Sequence, residues 1–434
     1  MRLCLLGLGY IGLPTAALFA ANGHEVVGVD INKTIVDKLN DGISPFDEPG
    51  LDELLIKARG KLTASTEVVD SDVFLIAVPT PLENSVKVAD LKPVRLAAEM
   101  IRPHLKHGNL VILESTVPPG TSERLLIPIL EKGGLKIGNF GFAHCPERAI
   151  PGKTINEMVN NDRIVGGYDA LSTERTIALY SSFVKGSIYP TSLRTAEFVK
   201  LMENTYRDIC IALVNEFAKL AEECEINVWD AIDLANKHPR VNMLKPGPGV
   251  GGHCIAVDPW FLTENSSKSK IISLARDIND SMPNYVLQMV NDMVNGIKDP
   301  RITVLGVAYK GNVDDSRESP AIKFIKLAEN EGYDVRCFDP YVKKFPYALV
   351  PFSESLENSD CIVLIADHDS FKEIDPSILP MRNKNLVDTR NLLDHEKWYK
   401  AGYKVRVLGR KDLESTFSRK IPPNTYSEKG YAQL

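Results

Sequence analysis

Residues 3–30 constrain the fold more than any other stretch of this chain. Leu3 to Leu6 is a short apolar run that reads as a buried strand, and Gly7-Leu8-Gly9-Tyr10-Ile11-Gly12 follows it. A helical stretch from Leu13 to Asn22 ends at Gly23, and a second apolar run, Glu25 to Val29, ends in Asp30. Strand, glycine turn, helix, strand and acidic residue occur here in the order that a dinucleotide-binding fold requires. Glycines permit the tight turn and let backbone N–H groups approach a pyrophosphate at the helix N-terminus. Asp30 is placed to accept hydrogen bonds from ribose hydroxyls and to repel a 2′-phosphate, which favours NAD; Lys33 nearby is a cation that would tolerate such a phosphate. A glycine turn used only for packing is the ordinary alternative, and the flanking strands with Asp30 argue against it.

The same segment has no Asp, Glu, Lys or Arg between Arg2 and Glu25, so a signal peptide or membrane span also has to be weighed. Three glycines at its start, Pro14, and the resumed apolar run Val26-Val27-Gly28-Val29 suit neither. With 434 residues the chain has room for roughly three domains at about 150 residues each. It carries 51 basic and 57 acidic residues, a net charge of −6, which disfavours a polybasic nucleic-acid or membrane-surface binder. Seven cysteines without a C-x-x-C pair make neither a disulfide framework nor a zinc-finger array. The expectation is a reduced, cytoplasmic protein with no membrane and no nucleic-acid partner.

Further apolar strands at Val73 to Val78, Leu110 to Leu113 and Ile164 to Gly167 alternate with helical segments, which predicts an α/β fold with a doubly wound parallel sheet. From about Arg194 the pattern changes to long helices. Val199, Met202, Tyr206, Ile209, Leu213, Phe217 and Leu220 form an apolar stripe, and another helix runs from about Ile271 to Met293. At Arg301 the opening pattern returns. Arg301 to Gly306 echoes Arg2 to Gly7, and Gly332 to Asp339 echoes Gly23 to Asp30, but the glycine turn is missing. Two Rossmann-like domains joined by a helical connector follow from this, with divisions at 1–190, 191–299 and 300–434. The second nucleotide-type domain should bind something other than a dinucleotide.

Three groups of residues can carry chemistry. In Pro246-Gly247-Pro248-Gly249-Val250-Gly251-Gly252-His253-Cys254, four glycines let a ligand approach the backbone and leave the thiol of Cys254 accessible, which favours a nucleophile over a small buried hydrophobe. Asp258-Pro259 reads as a helix start with Asp258 as the cap. His144-Cys145 and His253-Cys254 lack familiar zinc spacing, so no metal is expected. Lys200, Asn204 and Arg207 share one helical face; such a row is either solvated or, through lysine and asparagine together, able to polarise an oxygen without a metal. Thr80, Thr116 and Glu147-Arg148 follow strand ends, where α/β sheets place ligands, though taken alone ordinary turn chemistry is the preferred explanation for them.

These residues, in this order, resemble the UDP-sugar 6-dehydrogenases of the UDP-glucose/GDP-mannose dehydrogenase superfamily over nearly the whole chain. The likeness includes Gly7 to Gly12, Thr80, Glu114-Ser115-Thr116, Pro146-Glu147, Glu197 to Arg207, the Cys254 loop, Gly306 to Lys310, Asp315 to Pro320 and Asp388-Thr389-Arg390. The resemblance implies an NAD-dependent, four-electron oxidation of a sugar C6 alcohol to a carboxylate, through a thiohemiacetal and a thioester on Cys254. It implies that Lys200 and Asn204 stabilise charge on the C6 oxygen, and that Asp258, Thr116 and Glu147 position water or handle protons. Gly7, Gly9, Tyr10, Ile11, Gly12, Asp30, Lys33, Thr80, Thr116 and Arg317 are then cofactor residues. Arg148, Ala149, Lys200, Asn204, Arg207, His238, Arg240, Gly251, Tyr309, Lys310 and Arg390 are substrate residues, with Arg240 reaching a neighbouring subunit's site in a homodimer or higher homo-oligomer.

Within the family, His253 departs from the serine of UDP-glucose enzymes and matches the N-acetylhexosamine type. Ala256-Val257-Asp258-Pro259-Trp260 looks most like the branch acting on UDP-N-acetyl-D-mannosamine, where UDP-N-acetylglucosamine enzymes carry Pro after the isoleucine. UDP-N-acetylglucosamine and UDP-glucose remain alternative substrates. A two-electron hydroxyacid-type dehydrogenase is disfavoured by the third domain and the Cys254 loop, and an NAD- and UDP-sugar-sensing binding protein by the presence of both Cys254 and Lys200.

Overall fold

A computed structural model describes residues 1–410 apart from Asn84 and Asn265; the remainder of the expected third domain, 411–434, lies outside the described residues. The chain divides into two compact units, one of Met1–Ile209 with Gly252–Asp277, the other of Cys210–Gly251 with the chain from Ile278 onward. Among the described residues no helix is long and apolar enough to cross a membrane. The uncharged opening segment is instead a buried strand and helix.

The first unit is built on strands β1 (Arg2–Leu6), β2 (Glu25–Val29), β3 (Leu62–Ser65) and β4 (Val73–Ile76), a small hairpin of β5 (Leu82–Glu83) and β6 (Val88–Ala89), then β7 (Leu110–Leu113), β8 (Gly141–His144), β9 (Arg163–Gly167) and β10 (Ile188–Ser192). All but the hairpin join one sheet in the order β10-β9-β8-β7-β4-β1-β2-β3. Strand alternation sends Leu3 and Leu5 into one core and Cys4 and Leu6 into another on the opposite face, which is why both faces carry helices. The strand order reverses between β1 and β4, and the glycine turn leaves the sheet at that switch point, the position where open α/β sheets bind ligands.

One expectation needs correction. The sheet is not wholly parallel, because β9 runs antiparallel to β8, with His144 opposite Gly166. The connection between them ends on the side where β8 ends, so Arg163, the first residue of β9, lies beyond the C-terminal end of β8, beside the turn that starts at Cys145. A parallel strand would have placed its last residue there.

The long helix Leu193–Glu223 follows β10 directly. Its apolar stripe is largely open: Met202 is 48% exposed, Tyr206 64%, Leu213 45% and Leu220 49%. The buried positions are mixed: Ala196, Leu201, Ala212, Val214 and Ala218 share the interior with Glu197, Lys200, Asn204, Asp208, Asn215 and Glu222. Each of several polar members has a partner that makes burial tolerable. Glu197 accepts the backbone N–H groups of Gly120 and Ser122, and Asp208 takes the Arg276 guanidinium at 2.6 Å. Asn215 bonds Asn279 at 2.9 Å, and Glu222 takes Arg406 at 2.6 Å.

The second unit holds a five-stranded parallel sheet of β11 (Arg301–Leu305), β12 (Asp334–Phe338), β13 (Cys361–Leu364), β14 (Asn385–Asp388) and β15 (Lys404–Val407), ordered β12-β11-β13-β14-β15. The sequence echo is a structural repeat. The Gly7 N–H bonds the Val29 carbonyl at 2.8 Å and the Gly306 N–H the Phe338 carbonyl at 2.9 Å. Asp30 accepts the Leu8 N–H at 2.9 Å, while Asp339 accepts those of Val307 and Ala308 at 2.7 and 3.0 Å. The repeat diverges at that aspartate. Asp339 is buried and also bonds His368 at 3.0 Å and the N–H groups of Tyr341 and Val342. Burial works to raise its pKa, but His368 and the backbone N–H groups hold the carboxyl below its usual value. Its oxygens are committed to the fold, and no ribose-facing acceptor remains there.

Candidate active site

The glycines of the first turn have separate duties. Gly7 has φ of 98°, and a Cβ there would lie 2.5 Å from the Ala77 carbonyl oxygen. At Gly12 a Cβ would lie 1.8 Å from the Gly7 carbonyl oxygen, so the helix can start only because that side chain is absent. At Gly9 nothing lies within 4 Å. That open space stands before a helix, Gly12–Ala21, whose N-cap Ile11 offers no side-chain acceptor and whose first turn has no acid. A pyrophosphate fits both the space and a helix end that no side chain caps. Asp30 is held as an acceptor by the N–H groups of Leu8 and Asn32, at 2.9 and 2.8 Å. Lys33 pairs with Asp37 at 2.9 Å, and the Tyr10 ring packs on Phe46 at 4.4 Å. Thr80 donates to the Thr116 carbonyl at 2.7 Å, and Ser115 to the Val78 carbonyl at 2.7 Å, which ties together the loops after β4 and β7.

A second group gathers in the same unit. Lys200 and Asn204 are buried, 8% and 7% exposed, which settles their row as an interior one; Arg207, on the same helix, is exposed. Asn204 donates to Asp258 Oδ2 at 2.6 Å. Asp258 was expected as a helix cap, but it is the first residue of the helix Asp258–Thr263; Val257 is the cap and no side chain bonds the helix end. The cap's work falls to a backbone group, because the Cys254 carbonyl accepts the N–H groups of Val257 and Asp258 at 3.1 and 2.8 Å. Cys254 itself is exposed. Burial pushes the Asp258 carboxyl up to about 6, against the charge of Lys200 and the Asn204 hydrogen bond, which both favour ionisation. Burial, assisted by the charge of Lys200, lowers His144 to about 3 and keeps it neutral. A buried cation and an amide beside a carboxylate of that pKa can stabilise a developing oxyanion and take up a proton.

The turn after β8 is held almost wholly by carboxylates. Glu147 Oε1 accepts the N–H groups of Arg148 and Ala149 at 2.6 and 2.8 Å. Glu157 takes that of Ile150, and Glu48 those of Gly152 and Thr154. Glu147 Oε2 pairs with Arg163 at 2.6 Å, both side chains being buried. The Arg163 guanidinium lies 4.9 Å from the Tyr180 ring centroid, and Tyr180 donates to Glu114 at 2.5 Å. Burial outweighs the Arg163 charge and raises Glu114 to about 7; Cys145 beside them is pushed up to about 12. Cys145 is therefore a poor nucleophile where Cys254 is an accessible one. Nothing in the sequence marked Arg163 or Tyr180 for this cluster, since each looks like an ordinary residue at the edge of a strand or helix.

The second unit brings together another set. Gly247 leaves room for Arg390, since a Cβ there would lie 2.7 Å from the guanidinium. Arg390 Nε donates to the Ile365 carbonyl at 2.9 Å. A Cβ at Gly251 would lie 2.6 Å from the Glu318 carbonyl oxygen and 2.9 Å from Tyr309 Cβ. Lys310 Nζ lies 5.8 Å from the Tyr309 ring centroid. Arg317 is held by Asp315, Nη2 to Oδ2 at 2.7 Å. His238 and Arg240 stand exposed after the helix Val228–Ala235, apart from that cluster in the chain.

Comparison with known proteins gives these groups a common context. Residues 1–184 match the NAD binding domain of the UDP-glucose/GDP-mannose dehydrogenase family, residues 194–281 its central domain and residues 303–395 its UDP binding domain. The chain belongs to the UDP-glucose/GDP-mannose dehydrogenase family. Like other members it is an NAD-dependent oxidoreductase, and the glycine turn and Asp30 lie within the part that matches the NAD binding domain. It is 48% identical to a UDP-N-acetyl-D-mannosamine dehydrogenase of Methanococcus maripaludis, over 94% of this chain and 97% of that protein. The solved UDP-D-ManNAc dehydrogenase of Pyrococcus horikoshii superposes with a TM-score of 0.90 at 42% identity, covering 95% of this chain and all of the other. An NDP-N-acetyl-D-galactosaminuronic acid dehydrogenase of Ralstonia nicotianae is 42% identical over 89% of this chain and 95% of its own.

Proposed function

We propose that this family member oxidises the C6 alcohol of UDP-N-acetyl-D-mannosamine to the carboxylate, giving UDP-N-acetyl-D-mannosaminuronate. The observation that carries the reading is the exposed Cys254, whose carbonyl anchors the helix bearing Asp258, with Asp258 bonded to Asn204 beside Lys200. A two-electron alcohol oxidation has no use for a nucleophilic thiol; oxidation to the acid by way of a thioester does.

NAD supplies hydride acceptance at each of the two oxidations. Lys200 and Asn204 stabilise negative charge on the C6 oxygen as the alcohol loses its proton, and ionised Asp258 takes that proton up. Cys254 thiolate then attacks the aldehyde carbon to form a thiohemiacetal, whose oxidation leaves a thioester. Water attacks the thioester, the C–S bond breaks, and Cys254 returns as thiolate. Glu147 and Thr116 are assigned to positioning water and reactant, with Glu147 fixed by Arg163. Arg148, Ala149, Arg207, Gly251, Tyr309, Lys310 and Arg390 are assigned to the UDP-sugar, and Gly7, Gly9, Tyr10, Ile11, Gly12, Asp30, Lys33, Thr80 and Arg317 to NAD.

The choice of sugar rests on the relatives named above and on His253 with Ala256-Val257, and the galactosaminuronic relative makes the hexosamine configuration the point to test. The division 1–190, 191–299 and 300–434 is supported by the three family matches. A homodimer accounts for the apolar stripe of Met202, Tyr206, Leu213 and Leu220, and it would bring Arg240 to a neighbour's substrate, while His238 is assigned to the UDP-sugar. A cytoplasmic location fits a soluble nucleotide cofactor and a nucleotide-linked sugar.

The test is to supply UDP-N-acetylmannosamine, UDP-N-acetylglucosamine and UDP-glucose with NAD and to identify products by mass and by the C6 carbonyl signal. UDP-N-acetylmannosamine should give the uronate with the highest kcat/KM, and Cys254→Ala should give none. Preference for another sugar overturns the substrate, and uronate formation by Cys254→Ala overturns the role of the thiol.

A further inference from the structure

Glu203 has no part in the chemistry above, yet it holds a residue that does. Arg148 Nε donates to Glu203 Oε2 at 3.0 Å, Nη2 pairs with Oε1 at 2.6 Å, and Nη1 donates to the Asp162 carbonyl at 2.9 Å. A guanidinium has five N–H donors in one plane, so three are occupied and two remain. The backbone of the same residue is fixed as well, because Glu147 accepts the N–H groups of both Arg148 and Ala149. Main chain and side chain of Arg148 are thus both immobilised.

Glu203 sits on the long helix between Lys200 and Asn204. At about 100° per residue, Lys200, Glu203, Asn204 and Arg207 fall within roughly 100° of the helix circumference. The held guanidinium therefore lies on the flank of the Lys200–Asn204 row. Glu203 takes Arg148 from the other side of the turn, although Arg207 stands at its own i+4 position, where helical ion pairs usually form. Arg148 and Glu203 are 31% and 32% exposed, a setting in which an ion pair adds little to stability. Orientation is what the bidentate geometry supplies.

We infer that Glu203 is a positioning residue for sugar recognition: its bidentate grip on Arg148 aims the two remaining N–H donors at oxygen acceptors of the bound sugar. The inference rests on the reading of Arg148 as a substrate residue. The acceptors are of the kind an N-acetylhexosamine offers, an acyl carbonyl or ring hydroxyls. The uridine diphosphate part is not addressed by this pair.

Titration calorimetry of the wild-type protein, Glu203→Gln, Glu203→Ala, Arg148→Met and the double variant Arg148→Met/Glu203→Ala separates the alternatives. The ligands are UDP and whichever of the three UDP-sugars the wild type oxidises fastest, so a wrong substrate assignment shows in the wild type alone. Glu203→Ala should weaken the UDP-sugar about tenfold and Glu203→Gln less, with UDP unchanged within twofold. The double variant should bind no more weakly than Arg148→Met. Equal weakening of UDP and UDP-sugar, no weakening of either, or additive losses in the double variant would overturn the inference.

Discussion

Asn204 donates a 2.6 Å hydrogen bond to Asp258, across 54 residues of sequence, and so joins the helix that carries Lys200 to the helix that begins four residues after Cys254. The bond and the Lys200 charge both favour the ionised carboxylate, while burial opposes it more strongly, leaving Asp258 near 6. A group with that value is ionised at neutral pH and is still basic enough to accept a proton.

Activity should therefore rise with pH through about 6 as Asp258 ionises. Removing the donor in Asn204→Ala takes away a contribution that lowers the pKa, so the acidic limb of kcat/KM against pH should move to higher pH. A limb that stays in place in this variant would show that Asp258 is not the group responsible.

The same carboxylate should weaken the fold at neutral pH. Its folded pKa of about 6 exceeds the ordinary value of 3.8, so the folded state holds the proton more tightly and stability falls as pH rises between those values. Asp258→Asn should be more stable than the wild type at pH 7 by up to about 3 kcal/mol, from about 1.4 kcal/mol per pKa unit. The gain should fall below about 1 kcal/mol at pH 4. Denaturant melts at both pH values check it, and an equal gain at both would contradict the burial argument.

Gly9 and Gly12 should fail in different ways. An alanine methyl at Gly12 would overlap the Gly7 carbonyl, while at Gly9 it would enter open space. Gly12→Ala should unfold or strongly destabilise the first unit, whereas Gly9→Ala should melt like the wild type and raise KM for NAD about tenfold or more. Gly9→Ala with an unchanged KM would place the pyrophosphate elsewhere.

Arg163 should matter chiefly to stability. Arg163→Met leaves Glu147 buried without its cation, a change that costs about 3–5 kcal/mol in comparable pairs. A loss below about 1 kcal/mol in chemical denaturation would mean that Glu147 finds another partner or water.

Much of this was legible in the sequence because it depends on local rules. The glycine turn, the aspartate that closes it and the later echo at Gly306 and Asp339 are fixed by steric limits that act within a few residues. The reversal of β9 was not legible, because strand direction depends on how an 18-residue connection packs, and Arg163 was missed with it. The long helix was half legible. Its periodic apolar residues marked a face correctly, yet periodicity says only that a face will be covered and not by what. The face packed within the chain mixes small and apolar residues such as Ala196, Leu201, Val214 and Ala218 with polar ones, whose partners, such as Arg276 for Asp208 and Asn279 for Asn215, come from a helix some 60 to 70 residues later. Asp258 illustrates the same limit on a smaller scale. The Asp-Pro signal located a helix start to within one residue, but the side chain went to Asn204, a partner outside the local pattern.

The central claim is that one site carries out two successive oxidations through Cys254. Its most direct test is the amount of NADH released at completion from limiting UDP-N-acetylmannosamine. Two NADH per sugar is the predicted result; one NADH per sugar, with the aldehyde left in solution, would contradict the account.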